Sequence, residues 1–260
     1  MRLHVHEWGE ADAPPLFCMH GVTSWGGRYR KLAEEALGGF HVVAPDLRGH
    51  GLSTWDPPWN LGTQVADLIE TFDAHDVERA DVVGHSWGGR LALELAARRP
   101  ERVARLVLLD PVVWVPPHIA LERAEDARAD RAFASVDDAI ADRLGNNPLT
   151  DPVLVAEDVP GQLELGEDGL WRGRYARSAV VAAYGEMAKR PALDKVAAPA
   201  MLIRGHDSEV VPETAVDLVL ASMPRCKIVT VPGGHIVMCD AFDETASAMV
   251  SFLDSENPRA

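Results

Sequence analysis

Short apolar runs alternate along the chain with stretches whose apolar positions return every three or four residues. The runs predict strands over 2–8, 15–19, 40–44, 80–84, 104–109, 199–204 and 226–231, and the periodic stretches predict helices over 26–37, 60–75, 87–98, 212–222 and 240–254. Strands that are apolar throughout are buried on both faces, and helices between them return each strand parallel to the last. The expected fold class is α/β: a mostly parallel sheet with helices on both faces. Asp81 to Ser86 and Val103 to Leu109 stand out as strands, because they flank the clear helix 87–98 at tight spacing.

One segment breaks the alternation. From Pro111 to about Arg190 the pattern is helical and irregular, rich in proline, charge and tryptophan. A structureless loop of that length is disfavoured inside a compact domain, so residues 111–190 read as a helical cap inserted into a core formed by 1–110 and 191–260. Its charged helix 120–133 is expected to face solvent. Trp114, Val115, Ile119 and Trp171 are expected to form an apolar wall over the site.

Composition narrows the function classes. At 260 residues, 47% apolar and 25% charged, the chain is an ordinary globular one. Its net charge of −15 argues against nucleic acid or an anionic membrane as partner, since both call for a cationic footprint. No apolar run reaches membrane-spanning length. The opening Met1-Arg2-Leu3-His4-Val5-His6-Glu7 lacks an apolar h-region, so no signal peptide is expected. Cys18, Cys226 and Cys239 are odd in number and form no C-x-x-C, as expected of reduced thiols in a cytoplasmic protein.

The chemistry is concentrated in Gly84-His85-Ser86-Trp87-Gly88, which follows a β-branched run and opens a helical pattern. A G-x-S-x-G sequence carries meaning only in that strand–turn–helix setting. The turn is sharp enough that its flanking positions tolerate almost no side chain, and it lifts the serine hydroxyl above the sheet edge. The helix start behind it offers free N–H groups to a developing negative charge.

A serine nucleophile needs a histidine base and a carboxylate to orient it. Of ten histidines, His235 is the best placed, in Val231-Pro232-Gly233-Gly234-His235 directly after the last predicted strand. His4 and His6 alternate on an expected edge strand and alone make a poor metal site. Two carboxylates compete. Asp207, in the turn Gly205-His206-Asp207-Ser208, gives the chain order Ser…Asp…His and ranks first; Asp110, ending the strand Leu106–Leu109, ranks second. The N–H of Trp87 is the first expected oxyanion donor and that of Val22, after His20-Gly21, the second. His20 is assigned a structural role.

With these residues assembled, the chain resembles the α/β-hydrolase family of the single-domain, capped type. The resemblance rests on His20-Gly21, on Asp46-Leu47-Arg48-Gly49-His50-Gly51-Leu52-Ser53, on Gly84 to Gly89, on Arg102 to Pro111, on Gly205-His206-Asp207 and on Gly234-His235. It implies an eight-stranded sheet with the cap inserted after the sixth strand, Asp207 as the acid, and a structural turn at 46–53. A serine nucleophile excludes the dehalogenases and epoxide hydrolases of this fold, which attack with a carboxylate.

The leading expectation is a carboxylic ester hydrolase acting on an uncharged small-molecule ester or lactone, with no cofactor and no metal. Lactonase, C–C bond hydrolase and perhydrolase chemistry on the same triad are alternatives, and a non-catalytic ligand receptor is a further one. Ser24, Trp25, Trp114 and Trp171 are the expected substrate contacts. No sequence feature decides the oligomeric state.

Overall fold

The computed structural model describes residues 3–255. The chain opens with strands β1 (Val5–Trp8) and β2 (Pro15–Met19), helix α1 (Arg30–Glu35), strand β3 (His41–Pro45) and helix α2 (Leu61–Ala74). Strand β4 (Ala80–His85), helix α3 (Trp87–Arg98) and strand β5 (Val103–Leu109) follow. An insertion then carries α4 (Pro117–Asp126), β6 (Ala132–Phe133), α5 (Val136–Asn146), α6 (Pro152–Asp158), β7 (Leu163–Leu165), β8 (Trp171–Gly173) and α7 (Arg177–Met187). Strand β9 (Ala200–Gly205), α8 (Glu213–Ser222), β10 (Cys226–Val231), α9 (Val237–Asp240) and α10 (Phe242–Asp254) complete the chain.

The main sheet has the order β1-β3-β2-β4-β5-β9-β10, parallel except for β1, which pairs antiparallel with β3. Alternation along each strand feeds two separate apolar layers. Phe17, Met19, Val82, Leu106 and Leu108 pack into one, while Leu16, Cys18, Val83, Val107 and Leu109 pack into the other. All six residues of β4 are buried, as a central strand covered on both faces requires.

The sheet therefore has seven strands among the described residues, matching the seven apolar runs and not the eight implied by the resemblance. The insertion follows the fifth strand of the sheet, not the sixth. It also holds a small antiparallel sheet of order β6-β8-β7 that periodicity did not predict, because two- and three-residue strands are too short to show a period. The expected helix 120–133 ends at Asp126, and Ala132–Phe133 is strand. The predicted strand 2–8 begins at Val5; Arg2 lies outside the described residues. Among the described residues, no helix is long and apolar enough to cross a membrane.

The strand order decides where side chains can converge. The loops after β2, β4, β5, β9 and β10 all leave the carboxyl edge of one sheet, where ligands bind in open parallel sheets.

Candidate active site

Ser86 sits where β4 ends and α3 begins, with φ 55° and ψ −117°, a conformation sparsely populated for residues other than glycine. Its neighbours explain why the turn closes. A methyl group on Gly84 would lie 2.4 Å from the Gly88 carbonyl oxygen, and one on Gly88 would lie 2.1 Å from that of Met19. Ser86 N–H donates to Leu109 O at 3.1 Å, fixing the elbow to the adjacent strand end.

The loop after β10 crosses over β9 and brings His235 to this serine. Ser86 Oγ and His235 Nε2 are 2.9 Å apart. The loop is held by Asp240, whose Oδ2 accepts from Gly234 N–H at 2.9 Å and from Ile236 N–H at 3.2 Å. His85 supports it from below, its Nε2 donating to the His235 carbonyl at 3.0 Å.

The carboxylate on the far side of His235 is Asp110, not Asp207. Asp110 is fully buried, and its Oδ2 accepts from His235 Nδ1 at 2.6 Å. Ser208 Oγ donates to the same oxygen at 2.5 Å and Gly205 N–H to Oδ1 at 3.1 Å, which fixes the carboxylate plane. Asp207 is exposed; its Oδ1 lies 2.9 Å from His206 Nδ1, pointing away from the site. The reason lies in the strand order: Asp110 ends β5, which is hydrogen-bonded directly to the serine's strand, whereas Asp207 ends β9, one strand further out. Both satisfy the order Ser…Asp…His, so chain order could not separate them. No local sequence signal separates them; Ser208, beside Asp207, donates to Asp110 only because the fold brings β5 and β9 together.

Gly21 packs on Ser86, so close that a methyl group there would lie 3.0 Å from Ser86 Cβ. Val22 follows it, and Trp87 is the first helical residue after the serine, so its N–H has no carbonyl within the helix. Two buried histidines brace this loop. His20 Nδ1 donates to Gly21 O at 2.7 Å while its Nε2 accepts from Leu47 N–H at 2.9 Å. His50 Nε2 accepts from Thr23 N–H at 3.3 Å. Burial pushes His20 down to about 3, with His50 adding to the effect, and burial pushes His50 down to about 4. Both rings are therefore neutral, as those hydrogen-bonding roles require. The expected structural role of His20 agrees with this geometry.

One group could be mistaken for a metal site. Ligand atoms of His4, His6 and Asp46 lie within 4.8 Å of one another. Asp46, however, already accepts from His6 Nε2, Gly26 N–H and Leu52 N–H. Burial would raise this carboxyl, but those hydrogen bonds outweigh it and hold it at about 2. It reads as the knot that ties the 46–53 turn to β1.

A cavity of about 260 Å³ lies between the cap and the loop at Val22 and Thr23. The four expected substrate contacts do not line it. Trp25 Nε1 donates to Asp158 Oδ1 at 2.8 Å, and its ring sits under Gly161. Trp114 Nε1 donates to Ala188 O at 2.9 Å beneath the Arg190 guanidinium. Trp171 pairs with Phe133 and Leu165 in the small sheet and packs on the cap's own core. Ser24 is buried with no hydrogen-bond partner for its hydroxyl. Trp25 thus ties the core to the cap at Asp158, and neither Trp114 nor Trp171 forms the expected wall over this cavity. The side chains that do line the cavity include Arg123, Arg131, Arg143, Tyr175 and Tyr184.

Comparison with known proteins gives a consistent picture. A family model described as the alpha/beta hydrolase fold matches residues 14–242. Lipase LipV of Mycobacterium tuberculosis is 31% identical over 224 residues, covering 86% of this chain and 85% of that protein. Esterase YbfF of Escherichia coli is 26% identical over 250 residues, covering 92% and 93%. Among solved structures, an E-2-(acetamidomethylene)succinate hydrolase superposes with a TM-score of 0.86 at 24% identity, covering 97% of this chain and 95% of that one.

Proposed function

The chain belongs to the α/β-hydrolase fold family, and within it we propose a serine hydrolase that cleaves a carboxylic ester through an acyl-enzyme on Ser86. The reading is carried by two contacts on a single imidazole: Ser86 Oγ at 2.9 Å from Nε2 and Asp110 Oδ2 at 2.6 Å from Nδ1 of His235. The esterase and lipase relatives support hydrolase chemistry in general.

In this mechanism Ser86 Oγ attacks the ester carbonyl as its proton passes to His235 Nε2. Asp110 accepts from Nδ1–H, keeps the ring in the tautomer that leaves Nε2 basic, and stabilises the imidazolium as it forms. The oxyanion of the tetrahedral intermediate accepts hydrogen bonds from the N–H groups of Val22 and Trp87. Collapse breaks the bond to the leaving alkoxide, which takes the proton from Nε2. Water then gives a proton to His235 as its oxygen attacks the acyl-enzyme, and the released Ser86 oxygen recovers that proton. Lactone opening would proceed by the same steps.

A fluorophosphonate probe followed by mass spectrometry tests the reading, with turnover of p-nitrophenyl acetate measured alongside. An adduct on the peptide containing Ser86 is expected, together with a fall of roughly ten-thousandfold or more in kcat for Ser86→Ala. Equal, slow hydrolysis by wild type and Ser86→Ala would overturn it in favour of a binding role. Preference for diketones, or for peroxide with acetate, would keep the triad and change the reaction.

A further inference from the structure

The cavity over the oxyanion loop is cationic, although the chain as a whole carries 40 acidic against 25 basic residues. Three arginines, Arg123, Arg131 and Arg143, line it against two carboxylates, Asp126 and Asp142. Arg143, half-buried on α5, is the informative one. Its guanidinium makes one hydrogen bond, from Nη2 to the neutral Gln162 Oε1 at 3.2 Å. The nearby carboxylate that could neutralise it, Asp158, is already engaged by Arg28, Trp25 and Gln162. Burial, with Arg28 repelling it, lowers Arg143 to about 10 against the opposing pull of Asp158. A half-buried guanidinium with one neutral acceptor has donors left over, and a bidentate carboxylate is the partner its fork fits best.

The surroundings extend this one residue into a site. Arg131 and Arg143 both act electrostatically on Tyr175, and Arg123 and Arg131 both act on Tyr184. Three cations, two phenols and the carboxylates of Asp126 and Asp142 thus line the same cavity. Tyr175 also links this wall to the chemistry: its ring lies 6.2 Å from that of His50, which accepts from Thr23 N–H in the oxyanion loop.

We propose that this cavity is a carboxylate subsite, with Arg143 as its principal ligand and Arg131 at its flank. The substrate is then a small ester bearing a free carboxylate, not the uncharged ester expected from the sequence. The inference deepens the ester-hydrolase reading and rests on it for the identity of the bond cleaved.

Matched substrates test it directly. Monomethyl glutarate differs from methyl valerate, and 3-acetoxypropanoate from propyl acetate, by a carboxylate in place of a terminal methyl. Wild type is expected to favour the charged member of at least one pair by tenfold or more in kcat/KM. That ratio should drop at least tenfold in Arg143→Gln, chiefly through KM, recover in part in Arg143→Lys, and persist in Arg128→Gln, a cap arginine outside the cavity. Preference for the neutral ester in both pairs, or an equal loss on both members in Arg143→Gln, overturns the proposal.

Should Arg143→Gln fail to fold, Arg131→Gln, whose side chain is exposed, must lower the ratio at least threefold. Calorimetry of glutarate on the Ser86→Ala protein reads the subsite without turnover. Binding that Arg143→Gln weakens at least tenfold upholds the subsite even if the fluorophosphonate leaves Ser86 unlabelled. No binding there, with Ser86 labelled, removes the subsite and leaves the hydrolase.

Discussion

The sheet and the cap are built on different physical terms. The sheet buries two apolar layers, and its edge loops are fixed by backbone hydrogen bonds, by the neutral rings of His20 and His50 and by the carboxylates of Asp46, Asp110 and Asp240. The cap buries a core of its own that among the described residues is small, centred on Ala139, Val155, Val159 and Leu163. Its attachments near the site are polar: Trp25 and Arg28 reach up to Asp158, and Thr150 on the cap donates to Asp240 under the histidine loop at 2.5 Å. Under the proposed function, the groups that would carry the reaction stand at the sheet's edge, and most side chains lining the cavity at Val22 and Thr23 come from the cap.

The largest expected effect tests whether the sheet alone sets the chemistry. Asp110→Asn keeps the shape of the side chain but removes the charge and favours the wrong imidazole tautomer, so kcat should fall roughly a thousandfold or more. Asp207→Asn, at the exposed turn after β9, should stay within about twofold of wild type. Steady-state kinetics of the two variants on one aryl ester suffice. The reverse ranking would restore Asp207 and contradict the contact at 2.6 Å between Asp110 and His235.

The same division explains what could be read from the chain beforehand. β4, β5 and the elbow are legible because these doubly covered strands are largely apolar, with Asp81 and Arg105 paired to each other, and because a Cβ on Gly84 or Gly88 would lie 2.4 or 2.1 Å from a backbone carbonyl oxygen. The places of Ser86 and His235, which the fold brings to 2.9 Å, follow from strand ends, and strand ends follow from apolar runs. Asp110 was visible but ranked second, since choosing between two strand-end carboxylates needs the lateral strand order, which local patterning does not contain. The cap was hardest to read. Its tryptophans look like a substrate wall in sequence, and only three-dimensional contacts show them donating to Asp158 and Ala188. Its arginines look like solvated surface on α4 and α5 until the fold gathers them around one cavity.

A second prediction breaks the cap's attachment while leaving the sheet alone. Burial by itself would raise the Asp158 carboxyl; the Arg28 guanidinium and the Trp25 indole N–H outweigh it and hold it below its ordinary value. Asp158→Asn removes the anion and strands Arg28, whose side chain is only 6% exposed. Loss of one member of such a buried pair costs on the order of 3 kcal/mol. The cost should appear locally, as faster hydrogen exchange and proteolysis across 136–165 and a raised KM, with exchange in β4 and β5 unchanged. Uniform loss of protection through the sheet would mean that cap and core unfold as one unit.

The smallest expected effect sharpens the contrast from the core side, through pH. His20 and His50 are held neutral in the folded state, at about 3 and about 4 against an ordinary value of 6.5. Below pH 6.5 the unfolded chain takes up protons that the folded chain refuses, so stability falls as pH falls towards those lowered values. The contribution is fully present above 6.5. Between pH 6.5 and 5.5 the two rings together remove up to about 2 kcal/mol of stability, roughly half of it from each. Asp158, held below the ordinary carboxylate range, stays ionised over that interval, so acid weakens the loop at 21–23 before it loosens the cap. Urea midpoints at the two pH values should therefore move apart in wild type and draw closer in His50→Gln, which deletes one titrating ring. An undiminished shift in that variant would assign the acid sensitivity to groups other than the histidines bracing the loop beside Ser86.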